Sequence, residues 1–277
     1  MKQDEKLNEM LAVNTAQKQY YEVASGGETS EVNSAGTNLW RTLRKRAFGV
    51  FATTNRNESI KALHRAWIGD VGDAKVLDLG VGGGNPLSLE LAASAREYVA
   101  LDLSQSRIDM FRRQVEGAGI KGAKFYAADF LSDDFTESGF DVIYAMAVFH
   151  HFKHLDAFLE KVESKLAPGG RVVTYDPAQV WLPVRVLRAL FRPLQTDAAW
   201  EFPFGRTSLR LVESRFEVLN CQGVLGASKW ASAVGLVSPS LGASMAQRWH
   251  DSDMRNMTTP ASLRRCLHVS YHLKKRS

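Results

Sequence analysis

The amino-acid sequence predicts an α/β protein with a doubly wound, mostly parallel seven-stranded sheet. Between residues 75 and 177, short apolar runs alternate with amphipathic segments. Strands separated by helices of about 10–15 residues form right-handed βαβ units, which build a parallel sheet. A glycine-rich turn follows the first apolar run, and sheets of this class bind ligands beyond the carboxyl ends of their strands. These observations predict both the fold class and the edge at which a ligand binds.

Seven strands are predicted in chain order, at residues 75–80, 97–104, 124–130, 141–147, 171–177, 216–221 and 266–273. The segment 86–95 is predicted to be a helix, because Pro86 suits its first turn. Ser104 is placed to cap the next helix. Residues 155–166 carry an apolar stripe at helical spacing. Thr259 is a suitable cap for a short helix before the last strand.

The chain is expected to form one α/β domain with helical additions. Residues 1–72 are predicted to form an N-terminal cap, interrupted by a polar break at residues 26–38. The core is expected over residues 73–277, with helical insertions at about 178–211 and 226–258. Because these insertions follow strands of the core, they are expected to cover the ligand-binding edge and to hold the substrate.

The composition is that of an ordinary globular chain, with 277 residues of which 45% are hydrophobic and 23% charged. These proportions exclude disorder as the dominant state. No run approaches the roughly 18 apolar residues of a membrane span, and the polar N-terminus lacks a secretory pattern. Two cysteines are too few for a disulfide framework, which favours a cytoplasmic location. The net charge of +5 is a mild excess that identifies no nucleic-acid partner.

The glycine-rich turn at residues 78–84 has the sequence DLGVGGG. The dinucleotide fingerprint G-x-G-x-x-G needs a third glycine where this sequence has Asn85 or Leu87, which disfavours a nicotinamide dehydrogenase. An acid at the strand end, Asp78, would repel a pyrophosphate. The same charge suits a ligand that carries an ammonium or a sulfonium group.

The turn and the elements after it resemble the class I S-adenosylmethionine-dependent methyltransferases. The order of these elements also fits: Asp102 ends the second strand, Asp129 and Phe130 follow the third, and FDVIYAMAVFHHF spans the fourth. An LxPGG turn comes later, at residues 166–170. The resemblance covers residues 73 to 177, together with the last two strands. It implies a Rossmann-like methyltransferase fold, S-adenosylmethionine as cofactor and S-adenosylhomocysteine as product.

In this family, the acid that ends the second strand holds the ribose hydroxyls and the acid after the third strand faces the adenine. The resemblance therefore implies cofactor contacts for Asp78, Gly80, Gly82, Gly84, Asp102, Leu103, Asp129, Phe130, Ala145 and Tyr21. Tyr21 belongs to an N-terminal segment that relatives fold over the cofactor as a lid. Structural alternatives stay open: Asp78 could tie down the turn, Asp102 and Asp129 could cap the segments after them, and the two aromatic residues could be core.

The best candidates for a general base are His150 and His151, which come after the fourth strand. Methyl transfer from a sulfonium mainly requires positioning, but a hydroxyl or an acidic carbon also needs proton removal. Histidine is the side chain that titrates near neutrality, although relatives also carry residues there for shape. His150 and His154 have metal-ligand spacing, but no Glu lies between them in a zincin pattern, so no metal is expected. Tyr175 and Asp176 either touch the acceptor or close their turn.

The fourth strand lacks the Asn/Asp-Pro-Pro-Tyr pattern of relatives that methylate adenine or glutamine nitrogens, so an acceptor oxygen or carbon is favoured. In the first insertion, Arg185, Arg188 and Arg192 form one helical stripe. The stripe is a solvated face, a site for a phosphate or carboxylate of the substrate, or a basic helix on a membrane surface.

The sequence therefore predicts transfer of a methyl group to a small-molecule acceptor, apolar or carrying an anionic group. Neither a nucleic-acid partner nor a transmembrane segment is expected, and peripheral membrane contact and oligomeric state stay open. One alternative is an RNA methyltransferase, since Arg41, Arg44, Lys45 and Arg46 form a basic run. Another is a catalytically silent protein that binds S-adenosylmethionine.

Overall fold

A computed structural model describes residues 3–25, 42–43, 45–52, 54–192 and 200–276. The strands are β1 Lys75–Leu79, β2 Glu97–Asp102, β3 Lys124–Ala127, β4 Phe140–Met146, β5 Leu166–Pro177, β6 Phe216–Val224 and β7 His268–Lys275. The helices include α1 Gln3–Ser25, α2 Arg56–Ile68, α3 Pro86–Ser94, α4 Gln105–Gly117, α5 Leu155–Lys165, α6 Leu182–Phe191, α7 Arg206–Arg215, α8 Trp230–Val237, α9 Pro239–Asn256 and α10 Pro260–Leu263. A short 3₁₀ turn spans Phe149–His151.

The seven strands form one sheet in the order β3-β2-β1-β4-β5-β7-β6. The first five strands run parallel, and β7 runs antiparallel to both of its neighbours. The prediction of a doubly wound, mostly parallel seven-stranded sheet is confirmed. The strand order reverses between β1 and β4, so the carboxyl ends of these strands form the crevice in which such sheets bind ligands.

Local sequence signals begin the helices that frame this crevice. The Asn85 side chain accepts hydrogen bonds from the first turn of α3, which also has Pro86 at its start. The Ser104 side chain caps α4, and Thr259 caps α10, as predicted. Because β1 and β2 are buried along almost their whole length, the strand ends and the helix starts meet at a fixed edge.

Several strand boundaries differ from the prediction, and the largest differences include the end of β3 and the start of β5. β3 ends at Ala127, so Asp129 lies in the loop after the strand. β5 begins at Leu166 because the LxPGG turn joins the strand across a bulge in its pairing with β4. A Cβ atom on Gly170 would lie 2.7 Å from the carbonyl oxygen of Phe140, so this close approach requires glycine.

The helical character expected of the two insertions is present in α6, α8 and α9. The polar break at residues 26–38 lies outside the described residues, and the boundary near residue 72 stays a prediction. Across the ranges that the structure describes, no helix combines the length and the apolar character that a membrane crossing requires.

Candidate active site

A cavity of about 330 Å³ lies at the carboxyl ends of the central strands. Its walls come from the ends of β1, β2 and β4, the loop after β3, helix α1 and the segment before α7. The lining residues are Asn14, Gln17, Tyr21, Leu79, Gly80, Leu101, Asp102, Leu103, Arg107, Ala128, Asp129, Phe130, Met146, Ala147, Val148, His150, His151, Phe152 and Glu201. We call this space the first cavity. It lies at the edge where the fold class predicts a ligand.

The glycine turn passes between β2 and β4 with no room for side chains. Gly80 has a φ of +66°, and a Cβ atom there would lie 2.5 Å from Cγ2 of Val148. A Cβ atom on Gly84 would lie 2.1 Å from the ring of Phe111. Gly80 lines the first cavity, whereas Gly82 and Gly84 do not. The last two therefore shape the turn rather than the surface of the cavity.

The carboxylate of Asp102 lies in the wall of the first cavity and is held by backbone groups. One oxygen accepts a hydrogen bond from the Gly82 N–H at 2.8 Å, and the other accepts from the Ser104 N–H at 2.9 Å. Burial raises the pKa of Asp102, and the two hydrogen bonds oppose that shift. Each carboxylate oxygen keeps a further lone pair for a ligand hydroxyl.

Asp78 does not line the first cavity. Its carboxylate is buried beneath the turn and accepts a hydrogen bond from the hydroxyl of Tyr98 at 2.8 Å. Burial raises the pKa of Asp78 to about 6. Ala145 is also buried in β4 and absent from the cavity wall. The structure therefore favours the alternative in which Asp78 ties down the turn.

The loop after β3 brings Asp129, Phe130 and their neighbour Ala128 to the first cavity. The Asn14 amide donates to both carboxylate oxygens of Asp129, at 3.1 and 2.9 Å, and the Leu131 N–H donates to one of them at 2.9 Å. Burial raises the pKa of Asp129, against the effect of these hydrogen bonds. A residue of α1 therefore orients the acid that was predicted to face the adenine.

Helix α1 lies across the first cavity, with Asn14, Gln17 and Tyr21 facing it. The Arg107 guanidinium lies 4.4 Å from the centre of the Tyr21 ring, a cation–π contact. Nearer the start of the helix, Glu9 forms an ion pair with Lys153 and a hydrogen bond with Nε2 of His154. Tyr21 therefore lines the first cavity, and its contact with a cofactor stays a prediction. His154 contacts Glu9.

His150 belongs to a buried chain of charged groups. Its Nδ1–H donates to Asp176 at 2.9 Å, and Asp176 also accepts from the His150 N–H and from Thr174. Its Nε2 lies 3.4 Å from a carboxylate oxygen of Glu201. Burial opposes the charged imidazolium, but Asp176 and Glu201 together raise the pKa of His150 to about 9. Asp176 is fully buried, so it positions His150 and does not line the cavity.

His151 has the opposite electrostatic character. Its Nδ1–H donates to the carbonyl oxygen of Trp200 at 3.0 Å, which leaves Nε2 as the acceptor nitrogen. Burial, and then the charge of His150, lower the pKa of His151 to about 4. The two rings lie 4.1 Å apart. The site thus pairs a charged imidazole with a neutral one.

Glu201 is one of the site residues that the sequence does not single out, because it lies in the first insertion without a motif around it. With His150 and His151 it forms a group whose potential ligand atoms lie within 4.8 Å of one another. These side chains are of the type that binds transition metals. Their contacts are equally those of an ion pair with a protonated His150, which needs no metal.

A second cavity of about 410 Å³ adjoins the site and shares Glu201 with it. Helix α6 supplies most of its wall. The lining residues are Gln179, Leu182, Arg185, Val186, Arg188, Ala189, Arg192, Glu201 and Pro203. All three arginines of the predicted stripe therefore line one space. Of the basic run near residue 41, Arg41 and Arg44 lie outside the described residues.

Comparison with known proteins agrees with this geometry. A family model described as a methyltransferase domain matches residues 76–170. The 23S rRNA (uracil(1939)-C(5))-methyltransferase RlmD of Aeromonas salmonicida is 36% identical over 91 residues, which is 31% of this chain and 20% of that protein. The demethylmenaquinone methyltransferase of Thermus thermophilus is 31% identical over 103 residues, which is 37% of this chain and 46% of that protein.

Among solved structures, geranyl diphosphate C-methyltransferase from Streptomyces coelicolor superposes with a TM-score of 0.55 at 15% identity, covering 82% of each chain. That structure holds Mg²⁺, geranyl diphosphate and S-adenosylhomocysteine. At this identity the likeness concerns the fold. This chain spans 20% and 46% of the lengths of the two curated relatives.

Residues 76–170 therefore match a methyltransferase domain, and the chain has the Rossmann-like fold of the methyltransferase structures. The resemblance to the class I S-adenosylmethionine-dependent methyltransferases is confirmed for the domain family and the fold. The matched residues contain the glycine turn and the two acids Asp102 and Asp129. Glu201 and the arginines of the second cavity lie beyond the match.

Proposed function

We propose that this protein transfers a methyl group from S-adenosylmethionine to an oxygen or a carbon of a small molecule. One observation carries the proposal: the first cavity unites the glycine turn, the buried carboxylate of Asp102, the partly buried one of Asp129 and a histidine pair at the switch point of the sheet. The matching methyltransferase domain supports it. The lining carboxylates favour a ligand of positive charge over a pyrophosphate.

The residues of the first cavity fit this cofactor. Asp102 offers acceptor oxygens to the ribose hydroxyls, and Asp129 offers acceptors to the adenine amino group. Leu103 and Phe130 supply apolar contact for the base, while Tyr21 and α1 cover the space and exclude water. S-Adenosylmethionine, when bound, supplies a methyl group on a sulfonium whose thioether leaves readily.

The histidine pair supplies the proton chemistry. His151 is neutral at physiological pH, so its Nε2 is able to accept a proton from an acceptor hydroxyl or an acidic carbon. His150 is charged and oriented by Asp176, and it holds Glu201 at the boundary between the two cavities. We assign His151 as the base, with His150 completing the pair.

The comparisons favour a small acceptor with an apolar chain, with or without an anionic group. Two of the proteins named above act, by their names, on demethylmenaquinone and on a carbon of geranyl diphosphate. A second candidate is an RNA acceptor, which the likeness to the rRNA methyltransferase favours. Transfer of labelled methyl into total RNA, with salt-sensitive retention of the protein on RNA, would support the second candidate over the first.

Calorimetric titration tests the cofactor assignment. The ligand-free protein is expected to bind S-adenosylmethionine with a micromolar dissociation constant. Asp102→Ala is expected to weaken binding at least roughly tenfold, or about 1.4 kcal/mol. Asp73→Ala, at an exposed position outside the cavity, serves as the matched control and should bind like the unmodified protein.

Two outcomes contradict the proposal. A folded, ligand-free sample that fails to bind S-adenosylmethionine, or that binds NADH more tightly, excludes the cofactor. Binding without methyl transfer to any acceptor in a cell extract of small molecules or RNA identifies a silent binding protein instead. In that event His151→Gln leaves the binding of S-adenosylmethionine unchanged, and neither protein forms a methylated product.

A further inference from the structure

We propose that the second cavity is the acceptor site and that it selects an anionic amphiphile, with Arg185, Arg188 and Arg192 binding a phosphate or carboxylate group. This proposal rests on the proposed function, because it assigns the acceptor of the same reaction. It turns one of three interpretations of the arginine stripe into a defined site.

The position of the second cavity fits an acceptor. Glu201 is a wall of both cavities, and its carboxylate lies 3.4 Å from Nε2 of His150. A molecule in the second cavity therefore borders Glu201, which contacts His150 of the pair assigned to the proposed methyl transfer. Gln179 adds an amide to this wall, and its Nε2 donates to the carbonyl oxygen of Pro203.

The charge of the second cavity favours an anion. Among the residues that the structure describes, three guanidinium groups and one carboxylate, that of Glu201, line it. The Arg192 guanidinium donates to the carbonyl oxygen of Glu201 at 3.3 Å, which places its charge at the junction of the cavities. Burial opposes ionisation of Glu201, but His150 lowers the pKa of this carboxyl group. Arg188 lowers the same pKa more weakly, so its charge acts on Glu201.

The spacing of the arginines brings them to one side of α6. Residues three and four apart on a helix are neighbours on its surface, and positions 185, 188 and 192 have that spacing. Guanidinium groups bind phosphates and carboxylates through paired, charge-assisted hydrogen bonds. Because all three side chains line one cavity, an anionic group bound there would border each of them.

The apolar part of the wall indicates the rest of the acceptor. Leu182 and Val186 line the second cavity and are 65% and 51% exposed, and Leu190 on the next turn is 69% exposed. The ring of Trp181 at the start of α6 meets that of Trp230 edge to face at 5.4 Å. An acceptor with an apolar chain would cover these side chains while its anionic group meets the arginines.

Calorimetric titrations with decyl phosphate test the site in protein saturated with S-adenosylhomocysteine. Decanoate separates a phosphate from a carboxylate source, and decanol is the neutral probe. We expect at least one anionic probe to bind, and the Arg185→Gln/Arg188→Gln variant to weaken it roughly tenfold or more. Arg210→Gln, exposed on α7 and outside the cavity, is the matched control that should leave binding unchanged.

Equal binding of decanol and the anionic probes overturns the proposal, as does full binding by the double variant. A third result also overturns the proposal: the unmodified protein binds phosphatidylglycerol vesicles but not monomeric decyl phosphate, and the double variant does not bind the vesicles. That result would identify the arginine stripe as a membrane-binding surface. Titration of both proteins with S-adenosylhomocysteine alone shows whether the variant keeps its fold. Each probe titration is repeated without that nucleoside, so a failure of the cofactor assignment is separable from a failure of the anion site.

Discussion

The two sides of the candidate active site are built in different ways. On the cofactor side, Gly80 and Asp102 are fixed by short turns at the ends of adjacent strands. On the acceptor side, Asp176 and Glu201 reach His150 from positions 26 and 51 residues away along the chain. The contacts of Asp102 and Asp176 thus join neighbouring strand ends within the core. Glu201 differs because it comes from the first insertion, beyond the residues that match the methyltransferase-domain model.

The largest effect expected is on the cofactor side, from Gly84→Ala. The added Cβ would overlap the Phe111 ring, and the φ of +79° is unfavourable for alanine. We expect the free energy of unfolding to fall by about 4 kcal/mol, as measured by urea denaturation. Gly119→Ala is the matched control, because its φ is +73° but no atom lies within 4 Å of the new Cβ. Equal losses in the two variants would show that the turn is not tightly packed.

On the acceptor side, Asp176→Asn is expected to cost about 2 kcal/mol at pH 6, because a charged partner of buried His150 is lost. The pKa of His150 is raised to about 9 in the folded protein. Its stabilising effect is therefore complete below the unfolded pKa of about 6.5 and lost as the pH rises through 9. Thermal unfolding from pH 6 to 10 should show this loss in the unmodified protein and a flatter profile in Asp176→Asn.

A histidine titration by NMR tests directly whether Asp176 raises the pKa of His150. The His150 resonance should titrate at a lower pH in Asp176→Asn than in the unmodified protein. An unchanged titration would mean that Asp176 closes its turn without positioning His150. Methyl transfer by this variant should change in its pH profile rather than vanish, because Asp176 does not line the cavity.

Helix α1 lies against both sides of the site, and Asn14→Ala tests how strongly Asn14 holds this helix to the core. The change removes both hydrogen bonds to the Asp129 carboxylate, and we expect a loss of about 1.5 kcal/mol. Limited proteolysis should cut within α1 faster than in the unmodified protein. Lys6→Ala on the same helix removes only a half-exposed ion pair with Asp156, which contributes less than about 1 kcal/mol. Equal sensitivity of the two variants would contradict a special role for Asn14.

The sequence places the glycine turn, Asp102 and Asp129 at the carboxyl edge of the sheet because its signals there are local, and their contacts with a cofactor stay predictions. A glycine turn between a strand and a helix, with acids at the next two strand ends, is recognisable from spacing alone. The exception is Asp78: the motif fixes its place in the chain, but side chains alternate along a strand. Leu79 lines the first cavity, while Asp78 points under the turn to Tyr98.

The acceptor side is less predictable because its contacts cross long stretches of chain. Nothing near Glu201 in the sequence relates it to His150, and only the folded insertion brings the two together. Asn14 left a weaker signal. It is buried with Met10 and Gln17 at helical spacing, so a contact face is recognisable. The surface that this face covers depends on how α1 packs on the core, which spacing does not determine.

Glu201 belongs to the walls of both cavities, so the proposed function predicts that the two binding events are thermodynamically linked. A cation in the first cavity would neutralise part of the Glu201 charge, which otherwise neutralises part of the arginine charge in the second cavity. The arginines would then attract an anion more strongly. Coupling free energies are reciprocal, so the anion raises the affinity for the cation by the same factor. Once the sulfonium becomes a neutral thioether, that cooperativity disappears, and the two products leave independently of each other.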